Sequence, residues 1–473
     1  MGTPAVQVLS TADRVAVDSA ARQLLESTGV EVHSAAAREA LERQGAQTQP
    51  GLSRVRLPPG IIERALSTAP KTILLASRDG RHDVRVPNGR TNVTSDGCGV
   101  NVLDLDTGAR RSSRTRDLAD LTRVADALDP IALQWPMVVA GDAPQETHGL
   151  VEAATVFEHT TKHVQHEALS AGDAETLVAM AAAIAGGPEA LRERPLLSVV
   201  QCPVSPLTLA EGATEGLMVF ARAGVPIVPV SMVLLGGSSP VDPASALVVA
   251  SAENLASLCV AQSVAPGSPV LWSSASGPID MRTGAFAAGA PESGLLNVAG
   301  VEMARHYGLP CLVAGFVTDA DSFGFQSGAE KMATGLLSML AGADLVAGVG
   351  ALETDNTFSI EQLVLDADLV EYARRTAESF RVDADSIHLD MLSRVGPAGN
   401  YLKERHTLAH FREVLWNPRV LLRDGHEEGR TSDARVRERA RARGRQLVEN
   451  HRPAPLDPDV RRRVRELAGL AAP

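Results

Sequence analysis

The stretch that decides the fold is Trp272-Ser273-Ser274-Ala275-Ser276-Gly277-Pro278-Ile279-Asp280-Met281-Arg282-Thr283-Gly284, with the two units that follow it as far as Glu361. Each unit reads as a short apolar run, a loop of small and polar residues, and a helical pattern. The second loop carries Thr318-Asp319-Ala320-Asp321, and the third Leu352-Glu353-Thr354-Asp355-Asn356-Thr357-Phe358-Ser359. A polar loop between an apolar strand and a helix is where a parallel α/β protein keeps its chemistry.

Outward from this stretch the same rhythm repeats. Apolar runs stand at Ile131 to Val139, His163 to Leu169, Leu196 to Pro203, Pro226 to Leu234, Pro269 to Ser274, Pro310 to Val317 and Leu345 to Val349. Helical segments begin near Gln145, Ala171, Glu211, Pro243, Pro291, Gln326 and Ser359. Such alternation requires right-handed crossovers onto a parallel sheet, and its regularity favours an α/β (β/α)8 TIM-type barrel over an open sheet. The spacing places the barrel at residues 116–403, with an eighth strand expected near Arg394 to Leu402. Residues 1–115 read as an N-terminal mixed helical and β extension, and residues 404–473 as C-terminal helices on the outside or at a subunit contact.

Composition limits the partners. Charged residues make up 22% and hydrophobic ones 44% of the 473, as in an ordinary globular protein, while aromatics are scarce at 3%. The net charge of −12 argues against nucleic acid or an anionic membrane as partner. The long apolar stretch Leu247 to Val264 is interrupted by Glu253 and Asn254, and the N-terminus has no basic-then-apolar signal, so a cytoplasmic protein is expected. Cys98, Cys202, Cys259 and Cys311 have neither metal-ligand nor disulfide spacing, and the histidines form no triad, so no metal is expected. No phosphate-binding loop, dinucleotide fingerprint or nucleophile elbow is present.

In a barrel the mouth is formed by the C-terminal strand ends. Those ends carry Gln134 and Trp135, His166 and Glu167, Gln201, Ser231 and Met232, Trp272, Phe316 to Asp319, and Glu353 with Asp355. Aromatic faces and carboxylates on converging loops suit a cage for a small cation. Each also has a plain structural reading: rings as core, Asp319 and Glu353 as helix caps, His166 and Glu167 as a satisfied polar pair.

Several segments carry a resemblance to a known family. They are Pro203-Val204-Ser205-Pro206-Leu207, Ile279-Asp280-Met281-Arg282-Thr283-Gly284-Ala285, Gln326 to Leu337, Leu340-Ala341-Gly342-Ala343 and Phe358-Ser359-Ile360-Glu361-Gln362-Leu363-Val364. The chain resembles the trimethylamine methyltransferase family, whose members move a methyl group from a methylamine or betaine to the cobalt of a separate corrinoid protein. The resemblance implies a barrel, a corrinoid-protein partner and a homo-oligomer. Family members acting on trimethylamine carry pyrrolysine, and relatives acting on quaternary amines such as glycine betaine lack it. This chain has only standard residues, so the resemblance implies a glycine betaine-like quaternary amine as methyl donor.

A quaternary ammonium departs as a neutral tertiary amine, so neither metal nor general acid is required. On this reading Trp135, Trp272 and Phe316 form the cage, with His166, Glu167, Gln201 and Phe358 as further substrate-binding residues. Asp319, Glu353 and Gln326 take the catalytic, positioning role. No Asp-x-His-x-x-Gly segment is present, so the corrinoid (cobalamin) is expected on the partner and no cofactor is tightly bound. The loop Asp321-Ser322-Phe323-Gly324-Phe325 departs from the family pattern. Two alternatives stay open: the same fold with another donor or acceptor (a tertiary methylamine, a methylated sulfur compound, tetrahydrofolate), or a non-catalytic betaine-binding or scaffold protein.

Overall fold

The computed structural model describes residues 6–471. Eight parallel strands form one sheet: β1 (Asn92–Ser95), β2 (Ile131–Gln134), β3 (His163–Glu167), β4 (Leu197–Val200), β5 (Ile227–Val228), β6 (Trp272–Ser274), β7 (Cys311–Ala314) and β8 (Leu345–Val349). β8 pairs with β1, and β5 reaches β6 through the parallel bridge Ile227–Val270, so the sheet closes on itself. The helices that follow the strands are α1 (Thr115–Ala127), α2 (His148–His159), α3 (Ala171–Ala185), α4 (Glu211–Ala223), α5 (Pro243–Val264), α6 (Pro291–Tyr307), α7 (Phe325–Ala341) and α8 (Ile360–Ala377). The protein is a (β/α)8 barrel.

The pleat divides each strand between two cores. Leu133, Val200, Val228, Leu271, Leu312, Leu345 and Ala347 point inward and fill the lumen, while their neighbours Val164, Val199, Val313 and Val346 join the outer cluster beneath the helices. The bottom is closed by the antiparallel hairpin Ile73–Leu75 and Val84–Val86, whose Ile73, Leu75, Val84 and Val86 belong to the lumen cluster. Backbone bonds from Ala76 N to Pro195 O and from Arg78 N to Thr161 O tie the end of that hairpin to the loops entering β4 and β3.

β1 lies inside the segment read from sequence as an extension, and the expected eighth strand at Arg394 to Leu402 is not one. That segment is the end of the helix Leu389–Val395 and an exposed turn. The reason is chemical. β1 is Asn-Val-Thr-Ser and has one apolar residue, yet all four residues are buried because side chains replace the apolar pattern. Asn92 Nδ2 donates to Asp344 O at 3.1 Å, and Ser95 Oγ donates to Trp135 O at 3.0 Å and accepts from Trp135 N at 2.8 Å.

α5 is long and apolar enough to cross a membrane, but in this fold 83% of its apolar window is buried inside the protein. The helices Thr11–Ser27, Ala35–Arg43 and Pro59–Thr68 cover its outer face. Its two polar residues are satisfied inside: Glu253 accepts from Ser205 Oγ and Leu207 N, each at 2.9 Å, and from Ser231 Oγ, while Asn254 bonds both ways with Ser273 at 3.0 Å. The C-terminal helix Ser432–Asn450 packs on α8 and α1, and Pro458–Leu467 packs on α3 and α2.

The β8–β1 register shifts between Ala347 and Val349, at Gly348. Its φ is +145°, and a Cβ there would stand 2.0 Å from the Gly315 carbonyl oxygen, a backbone atom that cannot yield. Gly267 also has a positive φ, +88°, but no heavy atom within 4 Å of the added carbon. Gly348→Ala should therefore cost about 1–3 kcal/mol of overpacking on top of its dihedral strain, whereas Gly267→Ala should cost about 1–2 kcal/mol. Chemical denaturation of the two variants checks the ordering, and equal losses would contradict the bulge as a packing constraint.

Candidate active site

The mouth is built from the loops that leave β1, β2, β3, β4 and β8. Asp96 is the residue after β1, and Gly97 N donates to its carboxyl at 2.9 Å. Asp355 reaches the same point from the loop after β8, and the two carboxyls face each other within hydrogen-bonding reach. Cys98 directs its thiol to Glu167 Oε1, the inward residue at the end of β3, at 3.0 Å. Cys202, after β4, lies in the field of Glu167 and Asp96. Trp135, after β2, joins the lumen cluster, is 8% exposed, and has an indole Nε1 with no hydrogen-bond partner. Its indole edge lies against Gly97, where a Cβ would stand 2.3 Å from Nε1. The glycine therefore lets the ring close over the backbone beside Asp96.

Asp355 is delivered by an unusual backbone. Glu353, Thr354 and Asp355 have φ of +54°, +50° and +66°, three consecutive left-handed residues that are not glycine. Such conformations cost roughly 1–3 kcal/mol each and persist only where surroundings impose them. Glu353 N donates to Ala320 O at 2.8 Å and Thr354 N to Thr318 O at 2.9 Å. Thr354 Oγ1 donates to Asp319 Oδ1 at 2.9 Å, and Asp319 also accepts from Gly289 N at 3.0 Å. Glu353 accepts from Arg110 Nη2 at 2.9 Å and Thr357 Oγ1 at 2.6 Å. Cys98 shares the left-handed conformation, with φ +72°.

Beneath this turn lies a fully buried ion pair. Lys331 Nζ, on α7, donates to Asp366 Oδ2 of α8 at 2.9 Å, to Phe316 O at 2.7 Å and to Gly348 O at 3.3 Å. Asp366 accepts in addition from Gly350 N and Gln362 Nε2, both at 2.7 Å. Neither side chain of the pair is exposed, so each charge depends on the other.

Burial pushes the Asp96 carboxyl up to about 6, against which the Gly97 N–H and the field of Lys331 act. Burial and the facing Asp96 charge push Asp355 well above the carboxylate range. Near neutral pH the pair therefore holds one proton and one negative charge. Burial, with Glu167 beside it, likewise raises the Cys98 thiol, and burial pushes Cys202 up to about 12, so both stay protonated.

The structure sorts the residues expected from sequence. Trp135 and Glu167 open to the mouth. Asp319 and Glu353 stand at its rim and brace the Asp355 turn. Gln326 lies on α7, where its Nε2 donates to Glu330 Oε1 at 2.9 Å. Five residues expected at the substrate face elsewhere. Trp272 points out of the barrel and stacks on Tyr307 of α6, with centroids 4.7 Å apart. Phe316 packs against Gly335 of α7, and Phe358 against Gly99 and Gly350, both rings in the outer core. His166 Nε2 bonds Gly149 O on α2 at 2.7 Å, and Gln201 Nε2 donates to Ala168 O at 3.2 Å.

The pleat explains part of this, since only alternate residues of a strand can face the lumen. It also indicates what sequence reading missed. Asp96 and Cys98 follow a strand without an apolar pattern, and Cys202 has neither metal-ligand nor disulfide spacing to mark it. Asp355 was visible as a loop carboxylate, but nothing in its neighbours signals a triple left-handed turn. Among the described residues no cluster of His, Cys, Asp and Glu is arranged to hold a metal ion.

Fold and mouth together define a (β/α)8 barrel of the enzyme type, with acidic and aromatic side chains gathered on its strand-to-helix loops. The sequence profile described as trimethylamine methyltransferase (MTTB) matches residues 1–468. The trimethylamine methyltransferase MttB of Desulfitobacterium hafniense is 32% identical over 457 residues, covering 96% of this chain and 91% of its own length. A glycine betaine methyltransferase of the same species is 28% identical, covering 93% and 91%. The solved monomethylamine methyltransferase (MtmB) of Methanosarcina barkeri has the same fold at 11% identity, with a TM-score of 0.52 over 94% of this chain and 89% of its own. The chain belongs to the trimethylamine methyltransferase family and is a methyltransferase.

Two tests follow from the buried charges. Lys331→Met leaves Asp366 without its cation and should cost about 3–5 kcal/mol, most of it recovered when Asp366→Leu is added; denaturant unfolding of single and double variants reads this. Asp96 has a raised carboxyl in the folded chain, so its ionisation opposes folding fully above about pH 6, less as pH falls, and not at all below the ordinary value of 3.8. Asp96→Asn should thus raise the melting temperature at pH 8 and lose that advantage by pH 4.

Proposed function

We propose that this methyltransferase moves a methyl group from a small quaternary amine to the cobalt of a separate corrinoid protein. The observation that carries the reading is the shared-proton pair Asp96–Asp355 at the barrel mouth, with Trp135 and Glu167 beside it. One net negative charge at that pair, next to an indole, suits a cation that must be held but not trapped. As the methyl departs, positive charge leaves nitrogen. A more strongly ionised cage would stabilise the substrate more than the transition state.

The chain's own residues do the positioning. Trp135 and the carboxyl pair orient the ammonium group, and the buried lumen beneath them keeps water from its inner side. Reduced cobalt, when presented by the partner, supplies the nucleophile. The mouth fits such a visitor on one observation: Leu169, Val204, Met232, Val241 and Met281, on the loops after β3, β4, β5 and β6, are large apolar side chains exposed to solvent. A ring of that kind matches an apolar macrocycle edge and a protein docking around it.

The standard-residue composition supports a quaternary over a tertiary donor. Cys98 and Cys202, free thiols outside any disulfide, suit the reducing cytoplasm. Exposed Phe380, Leu389, Leu402 and Leu408 on the segment that leaves α8 support a homo-oligomer.

A panel of quaternary amines with reduced cobalamin, scored for methylcobalamin by its absorbance, should give product with at least one donor. Trp135→Ala should weaken donor binding by about 0.5–2 kcal/mol. No product from any quaternary amine would defeat the reading.

A further inference from the structure

The charges around the mouth are one-sided. Asp96, Asp355 and Glu167 stand at it, and Glu152, whose field reaches Cys98, is engaged by His148 Nδ1 and Ala140 N, both at 2.9 Å. Among the described residues Lys331 is the one cation acting on Asp96, and it is fully buried with its three donor directions committed to Asp366, Phe316 O and Gly348 O. The nearby arginines are also engaged: Arg110 with Glu353 and Thr357, and Arg282 with Asp280. Among the described residues no basic side chain stands free beside the carboxyl pair.

A second observation is independent of the acids. The Trp135 indole N–H beside Asp96 is buried and unpartnered. It is a single neutral donor. Proteins capture a carboxylate with charge-assisted, usually paired donors, most often an arginine fork. One indole N–H suits a neutral oxygen, such as a hydroxyl. A carboxylate on the methyl donor would instead enter a funnel of like charge, where repulsion is only partly screened because the groups are sunk in the barrel.

We propose that the mouth selects quaternary ammonium donors whose tail is neutral, and that Asp96, Asp355 and Glu167 impose this choice by excluding betaines. The inference rests on the proposed donor class and narrows it. It sets the chain apart from the glycine betaine methyltransferase it resembles at 28% identity.

The test is calorimetric titration of the full chain at pH 8 with tetramethylammonium, choline and glycine betaine, run beside the cobalamin assay. Choline or tetramethylammonium is expected to bind at least tenfold more tightly than glycine betaine. Glu167→Gln and Asp96→Asn, each checked for folding by circular dichroism, should weaken cation binding and bring the ratio below about threefold. Equal or tighter binding of glycine betaine, no binding of either cation, or an unchanged ratio in both folded variants overturns the selectivity. Methyl transfer from glycine betaine alone would overturn it while leaving the proposed function intact. If none of the three donors yields methylcobalamin, methyl transfer from quaternary amines fails, and the binding ratio still decides the charge selection.

Discussion

The contact on which the rest of the mouth depends is the bond between Lys331 and Asp366. One ammonium group holds the last two strand-to-helix units together: it bridges α7 to α8 and gathers the carbonyls of Phe316 and Gly348, where the chain leaves β7 and passes through β8. Asp366 extends the clamp to Gly350 N, where the chain enters the loop that carries Asp355. A buried ion pair is not a large source of net stability, because desolvation consumes much of its attraction. Its use is geometric. Six polar groups are pinned around one centre, and the loop can leave it in only one direction.

That direction matters because the loop then runs through three left-handed residues. The energy of holding them is supplied by groups at the rim: Asp319 on the Thr354 hydroxyl, Glu353 on Arg110 and Thr357. The result is that two carboxyls meet in a place too dry for both to ionise. The pair thereby carries a charge of about one, set by mutual repulsion and not by the number of acidic residues present.

Most of the barrel was legible because seven of its strands are apolar runs followed by polar loops, and the crossover rule allows few topologies for that order. β1 was not legible, since its burial is achieved by hydrogen-bonding side chains in place of hydrophobic ones. The region of the candidate site was legible, in the carboxylates of the loops after β7 and β8. Its membership was less so. Glu167 and Trp135 fall inward, whereas Trp272, Phe316, Phe358, His166 and Gln201 fall outward, and a side chain's inward or outward sense depends on register that a lone sequence does not disclose. The left-handed turn that brings in Asp355 is set by partners far along the chain, Asp319 at 35 residues from Thr354 and Arg110 at 243 from Glu353, and no local pattern encodes it.

The closure of β8 on β1 has a consequence for biosynthesis. The two strands that seal the cylinder, Asn92–Ser95 and Leu345–Val349, stand at opposite ends of the eight units. At about 5–20 residues per second, the ribosome finishes the last strand on the order of ten to fifty seconds after the first. Through that interval β1 has only one neighbour, and its free side exposes unpaired backbone to any other chain within reach. A strand whose single valine is flanked by asparagine, threonine and serine is a poor template for sticky association, because most of its exposed groups are content in water. The polarity that hid β1 from a hydrophobic reading thus fits a strand that has to wait, half-paired, for the end of its own translation.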